Sequence, residues 1–259
     1  MDEVLKAIEN TIKAVEPLDE DAMSEARMIQ DSLAKPPKSL GRLEDLSLKL
    51  AGIAGSIDAD FSKKRLLVFA ADNGVVSEGV SSAPQSVTAK QALNITLGKS
   101  GAGTLSKFYG NEVVVYDVGI NADLNASAVI NKKIAYGTQN IAKKAAMTRN
   151  ETERAILTGI EAAAAAKAEG VSVVGIGEMG IGNTTTSAAV LSVLLCCDPA
   201  AVTGKGGGIT EEAYQRKLGI IKNAVTNFRA NPEDPIDVLS KVGGFERTSM
   251  EPRQKECPL

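Results

Sequence analysis

From residue 171 to 186 the chain reads Val-Ser-Val-Val-Gly-Ile-Gly-Glu-Met-Gly-Ile-Gly-Asn-Thr-Thr-Thr, an apolar run of strand type that passes into four glycines, one acid and a helix start. Gly175, Gly177, Gly180 and Gly182 carry no side chain, so a ligand could approach the main chain there. Asn183 or Thr184 can cap the following helix, whose free amides and positive dipole end attract phosphate. Glu178 stands at the strand's exit. The same residues also suit a tight strand-to-helix turn with a solvated glutamate, although four glycines exceed what a turn requires.

Gly175-Ile-Gly-Glu-Met-Gly180 is literally a dinucleotide fingerprint, with Asp198 near the offset of a ribose-binding acid. A glutamate beside the pyrophosphate and a helix that begins only after Gly182 make a dinucleotide-binding oxidoreductase the weaker reading. A second glycine segment, Gly204-Lys-Gly-Gly-Gly208, precedes a helix with Arg216 and Lys217. Flexible amides plus a lysine one or two turns into the helix could hold a phosphate monoester, and a plain linker fits the local sequence as well. It is not a Walker loop, because Gly-Lys is followed by Gly. A third segment runs from Phe69 to Gln85 into a helix bearing Gln91 and Asn94, and its Asp72 suits a ligand or a turn equally.

These segments need positioning elements. The first sixty residues read as helices: Met1 to Val15, Asp19 to Leu33, and a third capped by Ser39 with an apolar stripe of Leu40, Leu43, Leu46, Leu50 and Ile53. From Arg65 onward, short apolar runs at Leu66–Ala71, Glu112–Tyr116, Lys133–Tyr136 and Val171–Ile176 read as strands. Helices are expected around Gln85–Leu97, Gly101–Phe108, Glu151–Glu169 and Thr184–Leu195. Strand and helix in alternation predict an α/β fold with a largely parallel sheet flanked by helices, whose ligands lie beyond the carboxyl ends of the strands.

Composition narrows the chemistry. A chain of 259 residues, 44% hydrophobic and 24% charged, is an ordinary globule of one large or two modest domains. A net charge of −3, no Trp, 4 Tyr and 5 Phe argue against nucleic acid as a partner. The start lacks a secretory pattern and the longest apolar stretch, Ser187 to Cys197, is too short to span a bilayer, so no membrane partner and a cytoplasmic location are expected. Cys196, Cys197 and Cys257 fit neither a disulfide framework nor a zinc site. Without any histidine, Ser-His-Asp and Cys-His nucleophiles are impossible and metal sites lose their commonest ligand. Proton transfer falls to Glu, Asp, Lys or Tyr.

Lys35–Glu44, Ala70–Val75, Asp117–Ile120, Gly175–Thr185 and Val238–Phe245, in this order, resemble the nicotinate-nucleotide:dimethylbenzimidazole phosphoribosyltransferase family over about residues 17 to 246. The resemblance implies phosphoribosyl transfer from nicotinate mononucleotide to 5,6-dimethylbenzimidazole, giving α-ribazole 5′-phosphate for the cobalamin lower ligand, and releasing nicotinate. It implies a homodimer, no metal, no cofactor, and a Rossmann-like three-layer large domain over residues 61–246. A small helical domain is built from the chain ends, with residues 1–60 as its first part.

Carried over residue by residue, the family's strand-exit glutamate falls on Glu178, its base-pocket glutamine on Gln91 and its phosphate-holding lysine on Lys217. Gly180, Gly182 and Asn183 match positions near ribose and phosphate, and Gly204 and Gly206 match the second glycine segment. Asn73 stands where the family usually has histidine, Lys38 where it has glycine, Ala83 where some members have serine, and Gly207 where threonine is common. The family's general base is a glutamate in a later Gly-Glu-Gly segment that this sequence does not contain, so no catalytic residue is assigned. Residues 247–259 read as a tail outside the pattern, and Glu251 is not taken as the base. A chain without that glutamate is expected to turn over poorly, or to bind nucleotide or azole without turnover.

Overall fold

The computed structural model describes residues 3–124 and 126–250. In chain order they form α1 (Glu3–Lys13), α2 (Glu20–Ser32), α3 (Arg42–Ala54), β1 (Lys64–Ala71), a 3-10 turn at Gly74–Glu78, α4 (Val87–Thr96) and α5 (Gly101–Phe108). There follow β2 (Glu112–Gly119), β3 (Val129–Asn131), α6 (Arg149–Ala168), β4 (Val173–Met179), α7 (Asn183–Leu194), α8 (Pro199–Val202), α9 (Glu211–Phe228), α10 (Pro235–Val242) and α11 (Phe245–Thr248).

The run Leu66-Leu-Val-Phe-Ala-Ala has no polar face to turn to water, and β1 is accordingly an inner strand of an all-parallel sheet ordered β3-β2-β1-β4. Leu67, Phe69 and Ala71 pack on one side with Ala155 of α6, Ala188 and Val193 of α7, Ile221 of α9, Val238 of α10 and Phe245 of α11. Val68 and Ala70 pack on the other with Ala92 and Ile95 of α4. The result is the expected three-layer α/β fold. Phe69 pairs with Tyr116 on one side and Glu178 on the other, so β1, β2 and β4 end close to level at one carboxyl edge. No helix among the described residues is long and apolar enough to cross a membrane.

Three local expectations are corrected. The third strand is Val129–Asn131, ahead of the expected Lys133–Tyr136. The later stretch still runs beside β2, with the Lys132 and Ile134 amides donating to the Asp117 and Val118 carbonyls, but its polar side chains are tied locally: Lys133 pairs with Asp117 at 2.8 Å and Tyr136 donates to Asp123. Helix α3 is capped by Gly41 at φ 54, not by Ser39. Its apolar stripe is not the buried face: Leu43 is 65% and Ile53 67% exposed, while Leu48, Ala51 and Gly52 are buried. The small residues win because α2 presses close, and a Cβ on Gly52 would lie 2.7 Å from Met23 Cγ. Helix α1 packs instead on α6, through Ile8 and Ile156. Cys196 and Cys197 are free thiols; Glu251 and Cys257 lie outside the described residues.

Candidate functional site

At the carboxyl edge, β4 delivers Glu178 and then turns through Gly180–Gly182 into α7. The turn demands glycine for packing. A Cβ on Gly180 would lie 2.5 Å from the Ala71 carbonyl oxygen, and Gly182, at φ +90, would bring one 2.5 Å from Val76 Cγ2. These two glycines therefore serve the close approach of β4 and α7 to the end of β1. Asn183 is the first residue of α7 and does not cap it; the cap is Gly182, without a side-chain bond. The Asn183 amide nitrogen Nδ2 instead donates to both carboxylate oxygens of Glu178, at 2.8 and 2.6 Å, and so fixes the acid against the helix start.

The second glycine segment closes over the first. Gly204–Gly208 is exposed, and the loop's backbone is anchored from beneath by Lys217, which is 0% exposed on α9. Lys217 Nζ donates to the Gly204 carbonyl at 3.0 Å and to Thr184 Oγ1 at 2.9 Å, joining the loop to the first turn of α7. Gly206, at φ +55, sits so close that a Cβ would fall 2.9 Å from Thr184 Oγ1 and 3.7 Å from Lys217 Nζ. Ser82 Oγ donates to the Gly207 carbonyl, and Arg216 to the carbonyls of Glu78 and Gly79, so the loop after the 3-10 turn forms the adjoining wall.

Among the described residues no carboxylate lies within ion-pair distance of Lys217. Burial alone pulls its ammonium below the usual lysine range. A buried cation without a counter-ion, held by one hydroxyl and one carbonyl, has an unmet demand for an anion.

Gln91 reaches this edge less directly. It is half-buried on α4, where its carboxamide oxygen accepts from Asn94 Nδ2 at 2.8 Å. One turn earlier, Thr88 Oγ1 accepts from the Ile181 amide and ties α4 to the glycine motif. Asp72 is buried, accepts from the Asn121 amide at 2.8 Å, and is pushed above the usual carboxylate range by burial. A cavity of about 410 Å³ lies elsewhere, between the β3 exit and α6, where Lys132 already pairs with Glu161. No cluster of three or more His, Cys, Asp or Glu among the described residues is arranged to hold a metal ion.

Behind the motif lie Asn73, Thr186 and Glu246, all buried; the sequence marks Asn73 only as a departure from the family pattern and gives no site role to any of the three. The Glu246 carboxyl accepts from Asn73 Nδ2 at 2.9 Å and is pushed up to about 7, first by loss of solvent and then by the Glu178 charge. The available signal was a lone acid after the apolar Val-Gly-Gly-Phe run.

Comparison with known proteins gives the same direction. A phosphoribosyltransferase family model matches residues 15–251. A nicotinate-nucleotide--dimethylbenzimidazole phosphoribosyltransferase of Clostridium perfringens is 46% identical over 243 residues, covering 94% of this chain and 67% of that protein. One from Ruminiclostridium cellulolyticum is 48% identical over 238 residues, covering 92% and 68%. Among solved structures, CobT from Thermus thermophilus superposes with a TM-score of 0.84 at 39% identity, over 89% of this chain and 69% of its own.

Proposed function

The chain belongs to the phosphoribosyltransferase family, and from that premise we propose that it transfers the phosphoribosyl group of nicotinate mononucleotide to 5,6-dimethylbenzimidazole. The products are nicotinate and α-ribazole 5′-phosphate, the latter for the lower ligand of cobalamin. The observation that carries this reading to the chain's own residues is the buried, carboxylate-free ammonium of Lys217 at the junction of the two glycine segments. A phosphate monoester supplies the missing negative charge and accepts from flexible amides and a helix start together.

In this reading Lys217, Thr184 and the Gly204–Gly206 loop hold the 5′-phosphate. Asn183 and Glu178 border the ribose where α7 begins, a position that Gly180 and Gly182 make possible. Gln91 faces the azole from α4. The azole's unprotonated nitrogen forms a bond to the anomeric carbon while the bond to the pyridinium nitrogen breaks and its electron pair returns to the leaving nicotinate. The proton on the other azole nitrogen passes to a carboxylate base, for which no residue of this chain is assigned. Attack from the face opposite nicotinate inverts the anomeric centre, and no metal or cofactor takes part. A cytoplasmic homodimer accompanies this reading, supported by the family resemblance.

Incubating the purified chain with both substrates and following nicotinate release tests the proposal. Formation of α-ribazole 5′-phosphate supports it; binding of the mononucleotide without turnover limits it to nucleotide recognition; neither binding nor turnover overturns it.

A further inference from the structure

A chain of buried polar side chains behind the glycine motif has no part in the transfer described above. Glu246, at the second position of α11, is wholly removed from solvent, and only one of its carboxyl oxygens is used. Oε1 accepts from Asn73 Nδ2 at 2.9 Å, while Oε2 has no partner among the described residues. The other end of the same carboxamide, Asn73 Oδ1, lies 3.1 Å from the Thr186 hydroxyl, which shares its proton with the Asn183 carbonyl at 3.0 Å. Thr186 belongs to the first turn of α7, beside the Thr184 whose hydroxyl binds Lys217.

Glycine packs this connection shut. A Cβ on Gly244 would lie 2.7 Å from Glu246 Oε1 and 2.8 Å from Asn73 Oδ1, and one on Gly180 would lie 3.1 Å from Glu246 Oε1. A half-satisfied buried carboxyl costs stability, and the side-chain hydrogen bond this one makes is to Asn73. Its hydrogen-bonded route to the start of α7 runs through Asn73 and Thr186.

We propose that Glu246 is a positioning residue for the nucleotide site: through the Asn73 carboxamide and the Thr186 hydroxyl it fixes the start of α7, and with it the Thr184–Lys217 pair. The identity of the bound nucleotide rests on the reading above; the positioning itself does not. A support of this kind matters because small displacements of a binding group cost much of its effect.

The test uses the full chain with Thr186→Val, Glu246→Ala and Glu246→Gln, reading amide hydrogen exchange segment by segment and the Kd for nicotinate mononucleotide by calorimetry. Thr186→Val keeps the side chain's volume and so guards against simple loss of folding. Thr186→Val and Glu246→Ala are expected to speed exchange over residues 180–187 and raise Kd, each by about tenfold, while β1 and β2 exchange as before. Glu246→Gln keeps an acceptor for Asn73 and stays within about twofold of the parent on both measures. The proposal is overturned if Thr186→Val leaves residues 180–187 unchanged, if Glu246→Gln behaves like Glu246→Ala, or if exchange rises uniformly across the sheet. Should the parent chain bind no nicotinate mononucleotide, the nucleotide reading falls, and exchange over residues 180–187 still decides the positioning role.

Discussion

Lys217 and Glu246 are the two ionisable side chains that the fold, among the described residues, withdraws completely from water, and burial moves each toward its uncharged form. For Glu246 the folded value of about 7 stands above the ordinary 4.5, so the folded state binds the proton more tightly. The stability this gives is full below the unfolded value and is lost as pH rises through the folded one. Urea unfolding of the parent and Glu246→Gln should therefore diverge on acidification, the parent gaining roughly 2–3 kcal/mol relative to the variant between about pH 7.5 and 5. Parallel pH curves for the two proteins would remove the buried acid from the account. For Lys217 the depressed value means that affinity for a phosphate monoester should fade at a lower alkaline pH than an ordinary lysine would give. A binding titration repeated across alkaline pH checks this, and a flat profile would contradict it.

At the scale of elements, the turn between β4 and α7 should tolerate no side chain at its tightest point. Gly180→Ala sets a methyl against the Ala71 carbonyl, a backbone atom that cannot yield, and should cost about 1–3 kcal/mol in denaturant unfolding. Gly204→Ala meets nothing within 4 Å, and its stability should stay within about 0.5 kcal/mol of the parent. Equal costs at the two positions would mean the turn is not as tightly closed as described. Lys38, at φ 59 in the turn before α3, holds a conformation that disfavours side chains, so Lys38→Gly should stabilise by about 0.5–1 kcal/mol once glycine's own chain entropy is subtracted.

The alternating elements were legible because strands buried on both faces leave unbroken apolar runs, and α5 and α6 between them carry their own caps in Ser100 and Thr148; Gly101–Phe108 falls where its residues place it. The apolar stripe of α3 misled because periodicity shows that a face exists, not which neighbour covers it. Gly52 against Met23 decided that. Of the site, Glu178, Lys217 and the two glycine segments were readable from residue type and spacing. The link among Asn73, Thr186 and Glu246 was not, because an amide, a hydroxyl and a lone acid far apart in the chain leave no spacing signal, and the three meet only when the end of β1, α7 and α11 converge at one edge of the sheet.

At the scale of the whole molecule, the chain spans 67% of the length of its Clostridium perfringens relative and 69% of the superposed Thermus structure. Among the described residues β4 is an edge strand, with Val174 and Ile176 exposed, and such an edge favours pairing with another chain. Sedimentation equilibrium should return twice the 27.0 kDa chain mass for the homodimer that accompanies the proposed function, and a mass of 27.0 kDa would contradict it.

The proposed function depends throughout on an anion meeting the lysine buried between two glycine bends. The most direct measurement is calorimetric titration of the parent chain and Lys217→Met with nicotinate mononucleotide and with its dephosphorylated riboside. The parent should bind the mononucleotide more tightly than the riboside by about 2–4 kcal/mol, roughly thirty- to a thousandfold in Kd, and Lys217→Met should abolish that preference. Equal affinity of the parent for the two ligands, or an undiminished preference in the variant, would contradict it.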